Sequence, residues 1–135
     1  MTKTVIVRWT GNERMFIAES ENGGQVGINA SNPPEQSMSA SELLLAALGG
    51  CMGTTIIAVL LKRRLPVESF EVEVYGDHIP DWPKTFTHFH LVYRVKGEGV
   101  TEKIMERAAW LAKERYCTVS SSLAGEVTQE IIIEN

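Results

Sequence analysis

The sequence predicts an α+β protein with antiparallel pairing, and three observations carry that prediction. Two stretches, 67–76 and 85–96, alternate polar and apolar residues with the period of a half-exposed strand. A run over 43–61, LLLAALGGCMGTTIIAVLL, carries no charge and is too long for a strand. The signals also come in blocks: strands, a long helix, two strands, a helix, a strand. A parallel α/β fold would alternate strictly. The 135 residues suit one domain, 1–135.

The elements follow in order. Residues 4–9, TVIVRW, are β-branched and end on Thr10-Gly11-Asn12, a turn. Residues 14–19, RMFIAE, form the returning arm of a hairpin, and 25–29, QVGIN, a third short strand. The polar, Pro-containing ASNPPEQSM, 30–38, reads as a loop. A long helix starts near Ser39, because Ser39-Ala40-Ser41-Glu42 fits the S-x-x-E capping box. It ends at Lys62-Arg63-Arg64, whose charges complement the helix dipole, before Leu65-Pro66. Strand 67–76, loop 77–84 and strand 85–96 come next, with Phe89, Leu91, Tyr93 and Val95 on one face. After the turn Gly97-Glu98-Gly99, residues 101–115 form an amphipathic helix with Ile104, Ala108, Leu111 and Ala112 as its stripe. The last strand is EVTQEIII, 126–133.

Charge bounds the function. A net charge of −4 argues against a nucleic-acid surface and gives no attraction to anionic lipid. The N-terminus MTKTVIVRWTG has no apolar signal region, so the expected compartment is cytoplasmic. There the two cysteines are reduced, and they are too few and too widely spaced for a zinc site. The uncharged run is long enough to cross a bilayer, but its glycines and threonines lower its hydrophobicity and no aromatic belt flanks it. It reads as a helix buried on all sides. Ala46, Gly49, Gly50 and Gly53 form a small-residue face that invites a second backbone, so the expected state is an obligate dimer with this helix at its centre. The alternative is that the glycines accept the sheet of the same chain.

Cys51 lies mid-helix, with Ala47, Leu48, Thr54, Thr55 and Ala58 on its face; Cys117 follows the second helix, before TVSSSL. Either thiol fits a buried small hydrophobe as well as a reactive group. They can meet only through tertiary structure, which the sequence does not show.

ELLLAALGGC, followed 66 residues later by CTVSSSL, resembles the OsmC/Ohr family of osmotically inducible and organic-hydroperoxide-resistance proteins. That resemblance implies an OsmC-like fold, antiparallel sheets around a long central helix in an intertwined homodimer, with the active site at the dimer interface. It implies thiol-based reduction of organic hydroperoxides without a metal or other cofactor. Cys51 matches the peroxidatic position and Cys117 the resolving one, and an external dithiol of the dihydrolipoyl type would reset their disulfide. The family's peroxidases hold an Arg against the thiolate with a Glu ten residues before the helix cysteine. Here that position is Ser41, and Glu42 stands nine before, half a turn out of phase on an ideal helix. Glu42 is the candidate carboxylate, with capping as its other role. Arg14 is the candidate cation, and Arg8 the second choice.

Other residues have weaker claims. His88 and His90 point the same way on a strand and, with Asp77 or His78, could hold a metal; a polar strand face explains them too. Ser120, Ser121 and Ser122 lack a G-x-S-x-G frame. Trp9, Trp82 and Trp110 read as core or interface. The other function class open to this sequence is a redox sensor or apolar-ligand-binding dimer that holds a molecule without turnover, which Ser41 in the Glu position favours.

Overall fold

The computed structural model describes residues 1–29 and 37–135, so most of the loop expected over 30–38 lies outside the described residues. The chain forms two compact units, 1–44 and 45–135.

The first unit is a sheet of order β1-β2-β3-β4, with β1 Val5–Trp9, β2 Met15–Ser20, β3 Gln25–Asn29 and β4 Ser37–Met38. β1 and β2 pair as the expected hairpin, Val5 opposite Ser20 and Trp9 opposite Phe16. Its turn is closed by Thr10, whose amide and hydroxyl both donate to the Met15 carbonyl, and Gly11 supplies a φ of 86°. β4 corrects the loop reading at 37–38. It pairs in parallel with β3, Gly27 opposite Ser37.

The helix α1 runs from Ala40 to Lys62 and starts with the predicted capping box. The Ser39 Oγ accepts from the Glu42 amide at 3.2 Å, and the Glu42 Oε1 accepts from the Ser39 amide at 3.0 Å. It stops with Arg64 at φ 58°, where the Leu65 amide reaches back to the Leu60 carbonyl and the Arg64 amide to Leu61. That is a Schellman stop made without glycine.

In the second unit β5 (Val67–His78), β6 (Phe86–Gly97) and β7 (Glu126–Ile133) form a sheet of that order. The inner face of β6, Phe89, Leu91, Tyr93 and Val95, is buried as expected, against Leu48, Met52, Ile56 and Leu60 of α1. Each such aliphatic side chain contributes about 1.5–3 kcal/mol by leaving water. β5 and β6 are antiparallel, but β7 runs parallel to β6, which corrects the all-antiparallel expectation. The cause is the connection: residues 98–125 hold helices and carry the chain back to the end where β6 began.

That connection differs from the sequence reading. α2 covers Glu102–Leu111, capped by Thr101, and its buried residues are Met105, Ala108 and Ala109. The apolar stripe is therefore rotated from the expected one, with Ile104 and Leu111 only half-buried. A π-helical turn, Ala112–Tyr116, widens the helix end, and a short α3, Thr118–Ser122, follows.

Two expectations about α1 change. Its buried row is Leu48, Gly49, Met52, Gly53, Ile56 and Leu60, while Ala46, Ala47, Gly50, Thr54 and Ala58 stay exposed, so within one chain it is covered on one side only. The G-x-x-x-G pair faces its own sheet: a Cβ on Gly49 would stand 2.7 Å from Val74, and one on Gly53 3.3 Å from Val72. Gly50 has nothing within 4 Å and borders a groove of about 650 Å³ between α1 and β5. By length and composition alone α1 could cross a membrane. The three tryptophans are not core: Trp9, Trp82 and Trp110 are all exposed.

Candidate active site

The structure brings the two cysteines together as free thiols. Cys51 stands in the middle of α1, half-buried; Cys117 is 2% exposed. What places Cys117 is the π-helical turn, closed by the Cys117 amide on the Ala112 carbonyl at 2.8 Å. One extra residue in that turn shifts everything after it around the helix axis. Cys117 then leaves the helix in an extended conformation, φ −80° and ψ 101°, and caps α3, its Sγ accepting from the Ser120 amide at 3.3 Å.

The two thiols are near enough to shift each other's acidity, and their surroundings differ. Burial pushes the Cys51 thiol up, but the Cys117 thiol and the backbone amides of Val119 and Thr118 outweigh it and hold Cys51 below the ordinary thiol value. Burial pushes Cys117 up, and its contact with Cys51 pushes it further, against the opposing bonds from Ser120. Cys51 therefore loses its proton before Cys117 does. Below Cys117 lies Tyr93, fully buried, with its hydroxyl donating to Gln129 Oε1 at 2.5 Å. Burial pushes that phenol far up, so it stays neutral.

The charged candidates Arg14, Arg8 and Glu42 belong to the first unit. Arg14 is exposed in the β1–β2 turn and forms no ion pair among the described residues; Arg8 is an exposed residue of β1. The Glu42 carboxylate accepts from both the amide and the hydroxyl of Ser39, and these bonds hold it below the usual carboxylate range. Both acts belong to the helix cap.

The serines of α3 bond back into the chain: Ser120 and Ser121 hydroxyls donate to the Cys117 carbonyl, and Ser122 to Thr118. On the outer face of the second sheet, His88 Nε2 and His90 Nδ1 converge on Thr128 Oγ1 at 2.8 and 2.7 Å. Their far nitrogens rest against Asp77 and Glu130, and His78 turns to the Ile79 carbonyl. Among the described residues no three His, Cys, Asp or Glu side chains are spaced to hold a metal ion.

Sequence reasoning missed the Thr118 and Val119 groups that lower the Cys51 value. They are main-chain amides, which have no residue signature. The one available signal was the run TVSSS directly after Cys117, a composition typical of a helix start.

Comparisons with known proteins agree on this architecture. The sequence model of the OsmC-like protein family matches residues 33–132. Protein YhfA of Escherichia coli K12 is 32% identical over 108 residues, 80% of each chain. A crystal structure of a protein from Aquifex aeolicus VF5 superposes with a TM-score of 0.79 at 24% identity, covering 100% of this chain and 99% of that one. An OsmC-like protein of unknown function from Vibrio cholerae gives 0.78 at 23%, covering 98% and 99%. The organic hydroperoxide resistance protein OhrB of Bacillus subtilis gives 0.60 at 17%, covering 99% and 98%.

Proposed function

The chain belongs to the OsmC-like family, and from that premise we propose that it is a cysteine-based peroxidase that reduces organic hydroperoxides. The observation that carries this reading is the unequal thiol pair: Cys51 acidified by two amides and a thiol, Cys117 beside it and still protonated. A lone buried thiol would be inert.

In this reading the Cys51 thiolate attacks the outer peroxide oxygen. The O–O bond breaks, the alkoxide leaves with a proton from solvent, and Cys51 becomes a sulfenic acid. Cys117 sulfur then attacks Cys51 sulfur. Its proton leaves with the hydroxide as water, and a disulfide remains. An external dithiol, of the dihydrolipoyl type that the resemblance implies, returns two electrons by exchange. Arg14 and Glu42 are the charge pair the resemblance would add. Arg14→Ala decides their part: a loss of about a hundredfold in the rate with peroxide gives Arg14 the activation of Cys51, and a loss below about threefold leaves it to the amides and Cys117.

The protein works as a homodimer in this proposal. Val5, Ile6, Val7 and Trp9 are exposed along β1, an edge strand, and Leu61 is exposed on α1. Such surfaces call for a partner. A reduced thiol pair fits the cytoplasm.

The test is intact mass with peptide mapping after one equivalent of an organic hydroperoxide. Loss of two hydrogens at a Cys51–Cys117 bridge supports the mechanism. An unchanged mass sinks it and leaves the second reading, a binder without turnover. The observation favouring that reading is that the Glu42 carboxylate is already taken by Ser39.

A further inference from the structure

We propose that His88 and His90, on the outer face of the second sheet, bind an exchangeable transition-metal cation such as Zn²⁺, with the Thr128 hydroxyl and water completing its coordination. This site stands apart from the thiol pair and does not depend on the peroxidase reading.

Strand register builds the cluster. β6 is the central strand of its sheet, and His88 and His90, two residues apart, point to the same face. β5 sets Asp77 opposite His88, and β7 sets Thr128 opposite His90. The two rings are stacked, with centroids 6.3 Å apart. His88 Nε2 stands 2.8 Å from Thr128 Oγ1, and His90 Nδ1 stands 2.7 Å from the same atom. On the far sides, His88 Nδ1 lies 3.3 Å from Asp77 Oδ2 and His90 Nε2 lies 3.4 Å from Glu130 Oε1. The row therefore runs Asp77, His88, Thr128, His90, Glu130.

That row is one proton short. A carboxylate only accepts, so each far nitrogen has to carry the N–H of its ring. A neutral imidazole has one N–H, which leaves His88 Nε2 and His90 Nδ1 as lone pairs. Both converge on one hydroxyl, and a hydroxyl has a single proton to give. One lone pair is left facing an oxygen with no proton between them. A cation that accepts both lone pairs removes the conflict. Charge points the same way: two carboxylates flank the pair, and among the described residues neither is ion-paired with Lys or Arg. Arg94, on the same face of β6, is held by Glu73, which also accepts from Tyr75.

The donor set selects the metal. Imidazole nitrogen suits Zn²⁺, Cu²⁺ and Ni²⁺, whereas Mg²⁺ and Ca²⁺ take oxygen ligands. A carboxylate behind each ring fixes its tautomer and makes the inner nitrogen a better ligand. His78 adds nothing, because its ring turns to the Ile79 carbonyl. No third His, Cys, Asp or Glu joins the pair among the described residues, so the site is open and exchangeable and not a closed structural centre. The imidazoles of His88 and His90 are 32% and 31% exposed, enough for a hydrated ion to reach them.

The competing occupant is a proton, since one more proton completes the same four contacts. Long-range proton–nitrogen NMR spectra of isotope-labelled reduced protein, titrated with zinc chloride at about pH 8 to limit that competition, decide between them. The chain has three histidines, so each ring can be followed by itself. Saturable shifts of His88 Nε2 and His90 Nδ1 are expected, with His78 unmoved. His88→Gln is expected to weaken zinc binding by about tenfold or more, and Asp77→Asn by about tenfold, with unchanged circular dichroism showing that both variants are folded. No saturable shift up to about 1 mM zinc overturns the proposal and leaves the proton as occupant. An equal response of His78, an equal response to Mg²⁺, or binding that survives His88→Gln unchanged overturns it as well.

Discussion

At the scale of single residues, the site is set by which sulfur owns the proton. Cys117→Ala removes the thiol that helps hold Cys51 acidic, so Cys51 titrates at higher pH. The sign is direct: the thiolate fraction falls as pH drops through the Cys51 value, and raising that value moves the fall upward. The expected outcome is an iodoacetamide rate profile displaced to higher pH and slower alkylation of Cys51 near neutrality. An unmoved profile would assign the acidity to the Thr118 and Val119 amides alone. On the outer sheet face Thr128→Val removes the hydroxyl on which His88 and His90 converge. A loss of about 1 kcal/mol in a urea titration is expected, the worth of a typical side-chain hydrogen bond. The sequence singles out both cysteines as candidates. Their meeting was not legible there, because it depends on 66 intervening residues and on one extra residue in a helical turn.

At the scale of elements, the glycines of α1 separate two roles that the sequence merged. Gly49→Ala places a Cβ 2.7 Å from Val74 and is expected to destabilise by roughly 1–3 kcal/mol, as overpacking does. Gly50→Ala meets nothing and is expected to stabilise the single chain by up to about 1 kcal/mol, the helix propensity gained. If Gly50 instead faces a second copy, the same change weakens the dimer, which concentration-dependent melting reads directly. At the helix end Arg64→Gly relieves a left-handed residue at φ 58° and is expected to add about 0.5–1 kcal/mol. The start of α1 was legible because its capping box is a local pattern of four residues. Its stop was legible from the charges and Pro66. The π-helical turn was not, since KERYC carries no feature that distinguishes a wide turn from an ordinary one.

At the scale of the molecule, every strand but β4 was found nearly residue for residue, because alternation fixes which face is wet. Their pairing was not. Alternation says nothing of direction, and β7 turned out parallel to β6 because helices occupy 98–125. Light scattering tests the proposed homodimer: a particle of twice the 15.0 kDa chain mass is expected, and a stable 15.0 kDa particle would remove the partner that the exposed β1 calls for. The parallel pairing also orders events in time. β5 and β6 join through a short loop and can zip early, whereas β7 must wait until the whole crossover has closed. Cys117 rides on that crossover, so a refolding chain has its core hairpin before it has its thiol pair. Under the proposed peroxidase reading chemistry thus arrives last, and a half-folded chain holds two ordinary cysteines instead of a reactive one.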